Sequence, residues 1–235
     1  MKKILALLPT YNEAENILPL IDEILALNID GLEVLVVDDN SPDGTSILVA
    51  EKADADPRVH LITRTLERGR GTAGIRAFTF ARDNGYDGVI EMDADFSHAP
   101  RFIPSLLAPL RSGEADIVVG SRLVPGGGET GRHPLRKLIT LAANLYIRFL
   151  LKLTIRDCTT GYRTYGPAAL AKMPWEEMKA RGPETLQEIL IHARKLELRI
   201  VERPILFEER RAGESNFDTK TMLHSLAYVW KNRAR

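Results

Sequence analysis

The chain has a single cysteine, Cys158. An internal disulfide framework is therefore excluded, and the composition suits a reducing compartment. Net charge is also missing: 32 Lys and Arg balance 32 Asp and Glu. That excludes the broad basic face of a nucleic-acid binder, so no nucleic acid is expected as a partner. Nowhere do about 20 uncharged apolar residues follow one another, so no bilayer-spanning helix is expected. The opening MKKILALLPTYNE starts like a signal peptide. Its apolar core stops at Pro9, short of the roughly 7–15 residues that a signal h-region needs. No internal repeat, low-complexity tract or Ser-His-Asp arrangement is present.

What is present suits one globular α/β unit. With 235 residues, a sizeable core is available. Short aliphatic runs at 3–8, 34–38, 59–63, 89–92 and 117–120 alternate with helix-period segments at 13–27, 45–55, 71–83 and 102–111. Continuous apolar strands between helices indicate a mainly parallel sheet covered on both faces. Asn12 is a candidate cap for the first helix, and Asp43 or Thr45 for the second. Beyond residue 121 the pattern changes. LVPGGGETGRHP reads as a loop. A long helix over 135–153, a polar turn, a helix over 184–195, a strand over 199–204 and a helix over 219–230 follow. The expected layout is a single domain, with residues 1–121 as a ligand-binding half and 122–235 as an elaborated second half.

Open α/β sheets bind ligands beyond the carboxyl ends of their strands. Three acidic groups fall at such ends: Glu13 after the first strand, Asp38, Asp39 and Asp43 after the second, and Asp93 and Asp95 after the fourth. If the chain stays extended at VIEMDADFSH, residues 93 and 95 point the same way. Two neighbouring carboxylates repel unless a cation sits between them. Mg²⁺ takes one or two carboxylates and completes its shell with water and substrate phosphates. The bland alternative is one acid capping the helix near Pro100 and the other solvated. GRGTAG (residues 69–74) matches the dinucleotide-binding G-x-G-x-x-G, but it follows the third strand and the charged RTLER, whereas that fingerprint sits against the first strand. It is read as a flexible entry to a helix whose amides could face a ligand. His98 and His133 are read as loop polar groups or helix-start contacts, Cys158 as a small buried residue, and Trp175 and Trp230 as core or interface anchors.

PTYNEAENI, VVDDNSPDGT, RGRGTAG, EMDADFSHAP, GSR, DCTTGYRTY and RRAGESNF occur in this order from Pro9 to Phe217. In this the chain resembles the dolichol- or polyprenol-phosphate mannose synthases, inverting family 2 glycosyltransferases of GT-A fold, in their short form without transmembrane helices. The resemblance implies metal-dependent transfer of mannose from GDP-mannose to a polyprenyl or dolichyl phosphate, by a cytoplasmic protein peripheral to the cytosolic membrane face. It implies that Pro9, Tyr11, Glu13, Val37, Asp38 and Asp39 line the nucleotide pocket, and that Asp93, Ala94 and Asp95 lie at the donor diphosphate. Asp93 and Asp95 would hold Mg²⁺ or Mn²⁺. Arg122 would face the donor or acceptor phosphate, Asp157 would sit near the sugar, and Arg211 would contact phosphate. Arg132, Arg136 and Thr140 would receive the lipid phosphate. The chain departs from many relatives at Ser97, where Gln is common, and at Arg68 and Arg70, where Leu is common.

The chemistry supports that assignment independently. A phosphate monoester has its second pKa at about 6, so a lipid-phosphate acceptor needs no strong general base. It needs positive side chains to orient it. Rival readings are UDP-glucose as donor, transfer to a growing polysaccharide, and a non-catalytic nucleotide-sugar-binding subunit of a membrane complex. Along 135–153, Arg136, Thr140, Asn144, Arg148 and Lys152 recur every fourth residue beside a broad apolar remainder. That remainder either packs on the core or stays exposed as a membrane-docking face. The segment 222–230, with Lys231, Arg233 and Arg235 beyond it, could add an interfacial anchor. A separate membrane-anchoring subunit or a second copy of the chain are the other partners to consider.

Overall fold

A computed structural model describes residues 1–66, 68–131, 133–209 and 219–233. In chain order the elements are β1 (Ile4–Thr10), α1 (Ile17–Leu25), β2 (Leu32–Asp38), α2 (Thr45–Ala55), β3 (Val59–Thr63), α3 (Arg70–Asp83), β4 (Gly88–Glu91), α4 (Ile103–Arg111), β5 (Ile117–Ser121), β6 (Gly128–Glu129) and α5 (Pro134–Leu151). Then come β7 (Arg163–Tyr165), α6 (Pro167–Lys172), α7 (Thr185–Lys195), β8 (Ile200–Pro204), β9 (Leu206–Phe207) and α8 (Thr219–Lys231). Among the described residues, one sheet has the order β3-β2-β1-β4-β7-β5-β8, and β6 and β9 form a small second sheet.

The pattern of β1 explains the layering. Ile4, Ala6 and Leu8 enter one apolar layer with α1 and α4, whereas Leu5 and Leu7 enter the other with α3. All five are fully buried, and each leucine contributes roughly 1.5–3 kcal/mol. In α1 the buried residues are Ile17, Leu20, Ile21, Ile24 and Leu25, the 3.6-residue stripe that a helix on a sheet requires. On the other face, Phe78 stacks on the fully buried Trp175 with ring centroids 4.1 Å apart. Trp230, by contrast, is exposed on α8.

Several expectations about local structure need correction. The first helix starts at Ile17, not at residue 13. Asn12 does not cap it: Asn12 is left-handed (φ 60°) and its N–H donates to Ser41 Oγ (3.0 Å), which ties the segment to the loop after β2. At the second helix the N-cap is Gly44 and no side chain caps it. Thr45 is the first helical residue and Asp43 Oδ1 accepts from its N–H (3.0 Å) one position ahead of the cap, so neither candidate takes that role. The polar turn after α5 contains β7, antiparallel to both β4 and β5. Its residues are wholly buried, and the Arg163 guanidinium donates to the carbonyls of Thr160, Leu186 and Cys158. A three-residue strand of Arg, Thr and Tyr carries no apolar signature. The expected loop 123–134 likewise contains β6, which pairs with β9.

Candidate active site

The carboxyl ends of β1, β2 and β4 converge. Thr10 and Asp38 are paired in register, and Thr10 Oγ1 donates to Asp38 Oδ1 (2.9 Å). Ser41 donates through N to Asp38 Oδ2 (2.8 Å) and through Oγ to Oδ1 (2.5 Å). Glu13 N donates to Thr45 Oγ1 and Ala14 N to Asp43 Oδ2, each at 3.0 Å. Thus PTYNE and DDNSPDGT form one laced rim. Asp38 is wholly buried within it. Val37 points its side chain into the α3-side core, so it is not brought to the rim surface. Tyr11 is exposed, with the Arg68 guanidinium 5.8 Å from its ring centre.

Arg64, which no motif singled out, organises the next stretch. It pairs with Asp39, donates to Thr72 Oγ1 (2.7 Å) and reaches Gly69 O (3.1 Å). Asp39 Oδ2 also accepts from Gly69 N (2.7 Å). The glycine turn of GRGTAG is thereby fixed to the end of β2 and delivers Arg70 as the first residue of α3. The signal for Arg64 was its position directly after β3, whose last residue Thr63 is in register with Asp38 at the end of β2.

β4 stops at Glu91, so the chain is not extended through Asp95 as expected. It bends, with Phe96 left-handed (φ 66°). Asp95 Oδ1 accepts from Ser97 N (3.0 Å) and Oγ (2.6 Å), which orients that carboxylate. Ser97 therefore has a definite task, the orientation of Asp95. Ala94 is buried between the two aspartates. Asp93 N donates to His98 Nδ1 (2.9 Å). His98 is buried, stacked on Tyr162 at 4.9 Å and edge-on to Phe207 at 5.7 Å. Burial lowers its pKa, which favours the neutral ring that this contact needs. His98 is thus a loop polar group, as expected, but a buried one that supports the Asp93 turn. Glu91 accepts from Tyr165 OH (2.8 Å), and burial raises its pKa despite the nearby Arg70 and Arg163.

The second centre lies at the end of β5. Arg122 grips Asp157 through Nε and Nη2, each at 2.8 Å. It also donates to Glu129 Oε1 (3.0 Å) and Thr159 Oγ1 (2.7 Å). Burial opposes ionisation of Asp157, but Arg122 and the N–H groups of Arg122 and Thr159 outweigh it and hold the pKa below its usual value. Asp157 is therefore a fully buried brace for Arg122. Glu129, from the short β6, is a partner that the loop-like sequence did not reveal.

α5 leaves this centre. Asn144 is its innermost polar residue: Oδ1 accepts from Cys158 N (2.6 Å), and Nδ2 donates to Thr140 O (2.9 Å) and Thr159 Oγ1 (3.2 Å). Cys158 is buried, and its thiol pKa is pushed up to about 12 by burial. His133 Nδ1 accepts from Leu135 N (3.3 Å), the expected helix-start contact. Arg136 is exposed and Thr140 half-buried near the start of α5. Arg132, Arg211 and Arg235 lie outside the described residues.

Among the described residues, no three or more His, Cys, Asp or Glu side chains are grouped to hold a metal ion. A hard-oxygen set of Asp93 and Asp95 still fits Mg²⁺ or Mn²⁺, because such an ion normally completes its shell with water and phosphate oxygens.

Acids and a braced arginine beyond the carboxyl ends of a mostly parallel sheet, interrupted by one antiparallel strand, define a GT-A-type glycosyltransferase architecture. The chain belongs to glycosyl transferase family 2, whose family model matches residues 6–173, and is a glycosyltransferase. It is 42% identical over 213 residues to an undecaprenyl-phosphate mannosyltransferase of Micrococcus luteus, covering 91% of this chain and 86% of that protein. It is 40% identical over 239 residues to a polyprenol monophosphomannose synthase of Mycolicibacterium smegmatis, covering 100% of this chain and 89% of that protein. A crystal structure of glucosyl-3-phosphoglycerate synthase from Mycobacterium tuberculosis with Mn²⁺, UDP and glucosyl-3-phosphoglycerate is similar in fold. Its TM-score is 0.69 at 22% identity, covering 98% of this chain and 78% of that one.

Proposed function

We propose that this glycosyltransferase moves mannose from GDP-mannose to a polyprenyl or dolichyl phosphate, with inversion, while docked on the cytosolic face of a membrane. The observation that carries the reading is the name shared by two relatives at 40–42% identity, both mannosyltransferases of polyprenyl lipids. Residues 1–121 serve the donor and residues 122–235 the acceptor. Tyr11 and Glu13 border the nucleotide, with Pro9, Asp38 and Asp39 shaping that rim. Asp93 and Asp95 hold Mg²⁺ or Mn²⁺, which when bound neutralises the charge of the leaving diphosphate.

The chain's own contribution is orientation. Ser97 sets the Asp95 carboxylate, and neutral His98 sets the turn at Asp93. Asp157 and Glu129 keep the Arg122 guanidinium fixed, so its position at the end of β5 needs no reorganisation when substrate binds. Arg136 and Thr140, with Arg132 and Arg211, attract the acceptor phosphate. That phosphate is already anionic and attacks without a strong base.

Membrane docking draws support from α5. Its polar line turns inward at Asn144, which is buried, whereas Leu138, Leu145 and Phe149 are 62%, 55% and 83% exposed. Leu223 and Trp230 on α8, a helix that packs against α5, are exposed as well. No helix among the described residues is long and apolar enough to cross a membrane.

The experiment is a panel of nucleotide sugars with a short polyprenyl phosphate, scored for lipid-linked product. GDP-mannose alone is expected to give product. Product from UDP-glucose moves the donor assignment, and product only on an oligosaccharide moves the acceptor. No product with any pair favours the non-catalytic subunit.

A further inference from the structure

Arg70, the first residue of α3, points its guanidinium at the acids that end β4. Its Nη2 is 2.7 Å from Asp93 Oδ1 and 4.0 Å from Glu91 Oε1. The position is built. The preceding Gly69 is tied to Asp39, and Gly71 N donates to Arg181 O (3.2 Å). Opposite, Gly161 leaves space for the guanidinium: a Cβ there would lie 2.0 Å from Nη2 and 2.7 Å from Cζ. Yet Nε and Nη2, both buried, make no aligned hydrogen bond among the described residues. The guanidinium is placed by charge and shape, and its buried Nε and Nη2 are left without an aligned acceptor, a deficit that an oxygen-rich ligand entering this contact would fill.

Asp93 is one carboxylate with two claimants. A divalent ion on the oxygen that now faces Nη2 would stand a few ångströms from a like charge in a partly desolvated cleft, where repulsion is strong. A nucleoside diphosphate relieves the conflict, because it brings negative charge and acceptor oxygens for Arg70. We propose that Arg70 is a counter-cation carried by the chain itself: it holds Asp93 while the donor is absent, weakens binding of a divalent ion alone, and yields Asp93 when a nucleoside diphosphate arrives. The inference rests on the reading of Asp93 as a metal ligand. It makes ion and nucleotide bind as a coupled pair.

The test is Mn²⁺ titration of the full chain, with free Mn²⁺ read by electron paramagnetic resonance. Wild type, Arg70→Met and Arg70→Lys are compared alone and with saturating GDP or UDP, and melting curves confirm folding. Without nucleotide, Arg70→Met should bind Mn²⁺ at least about tenfold more tightly than wild type, as removal of an adjacent like charge requires. Arg70→Lys, which keeps the charge, should stay near wild type. Nucleotide should tighten Mn²⁺ binding more in wild type than in Arg70→Met. Equal Mn²⁺ affinity of folded wild type and Arg70→Met without nucleotide overturns the inference but leaves the metal site standing, provided nucleotide promotes Mn²⁺ binding. Failure of Mn²⁺ to bind in every arm overturns both.

Discussion

Replacement of Leu145 and Phe149 by Ser should detach the protein from membranes without disturbing its fold. Phe149 is 83% exposed and Leu145 55% exposed, so neither change opens a core cavity. Leu150 is unsuitable for this test because it packs against the cluster under α5 and α8. Full transfer of a large apolar side chain from water is worth roughly 1.5–3 kcal/mol. Scaled by these exposures, the pair contributes about 3 kcal/mol, or about two orders of magnitude in partitioning. The assay is flotation with anionic vesicles containing a short polyprenyl phosphate, with nucleotide binding measured in parallel. Wild type should float, less at high salt because screening weakens its basic contacts. The double variant should remain in the dense fraction while still binding nucleotide. Equal flotation of the two proteins would refute the assignment of α5 as the docking face.

Other expectations concern the two centres. Asp157→Asn leaves the buried Arg122 charge only partly compensated and should cost about 3 kcal/mol of stability in a melting experiment. The folded pKa of Asp157 is depressed, so its ionised form stabilises the fold above the unfolded aspartate pKa of about 3.9. The gap from wild type should therefore shrink as pH falls through the folded pKa. Asp95→Ala should keep the fold and lower turnover by roughly 10²–10³-fold or more; full activity of wild type in excess chelator would contradict the proposed metal role. Arg136→Lys should raise the KM for lipid phosphate despite retaining charge, because lysine cannot form a two-pronged contact, whereas an Arg136 that merely faces solvent predicts unchanged kinetics.

The sheet and most helices were legible because their signals are local. Ile17, Leu20, Ile21 and Ile24 announce α1, and the aliphatic runs of β1, β2 and β5 announce buried strands. The candidate acids stood out because they follow those runs directly. Their partners were not legible. Arg64 reaches Asp39 across 25 positions, Arg122 meets Asp157 across 35, and Tyr165 meets Glu91 across 74. Such pairs depend on which strand ends become neighbours, and no window of sequence records that. The inward turn of the α5 polar line was illegible for a related reason. Asn144 is buried because a backbone N–H at Cys158 awaits it, whereas sequence periodicity alone assigns a polar stripe to solvent.

The reversed strand β7 has a consequence for how the protein comes into being. β4 and β5 are not neighbours; among the described residues β7 alone lies between them. Until residues 163–165 have left the ribosome, the strands already made cannot close into the final sheet, and β5 exposes unpaired backbone on both sides. β5 gains its second neighbour later still, when β8 arrives at Ile200–Pro204. Completion of the sheet therefore waits on contacts distant in sequence, a topology that slows folding and prolongs exposure of sticky edges. The laced rim can assemble early from β1 to β3, but β4, which ends at the acid cluster, gains its second neighbour only when the late chain threads back beside it. Synthesis and sheet closure are thus ordered: β4 and β5 are joined only after Arg163–Tyr165 has been made.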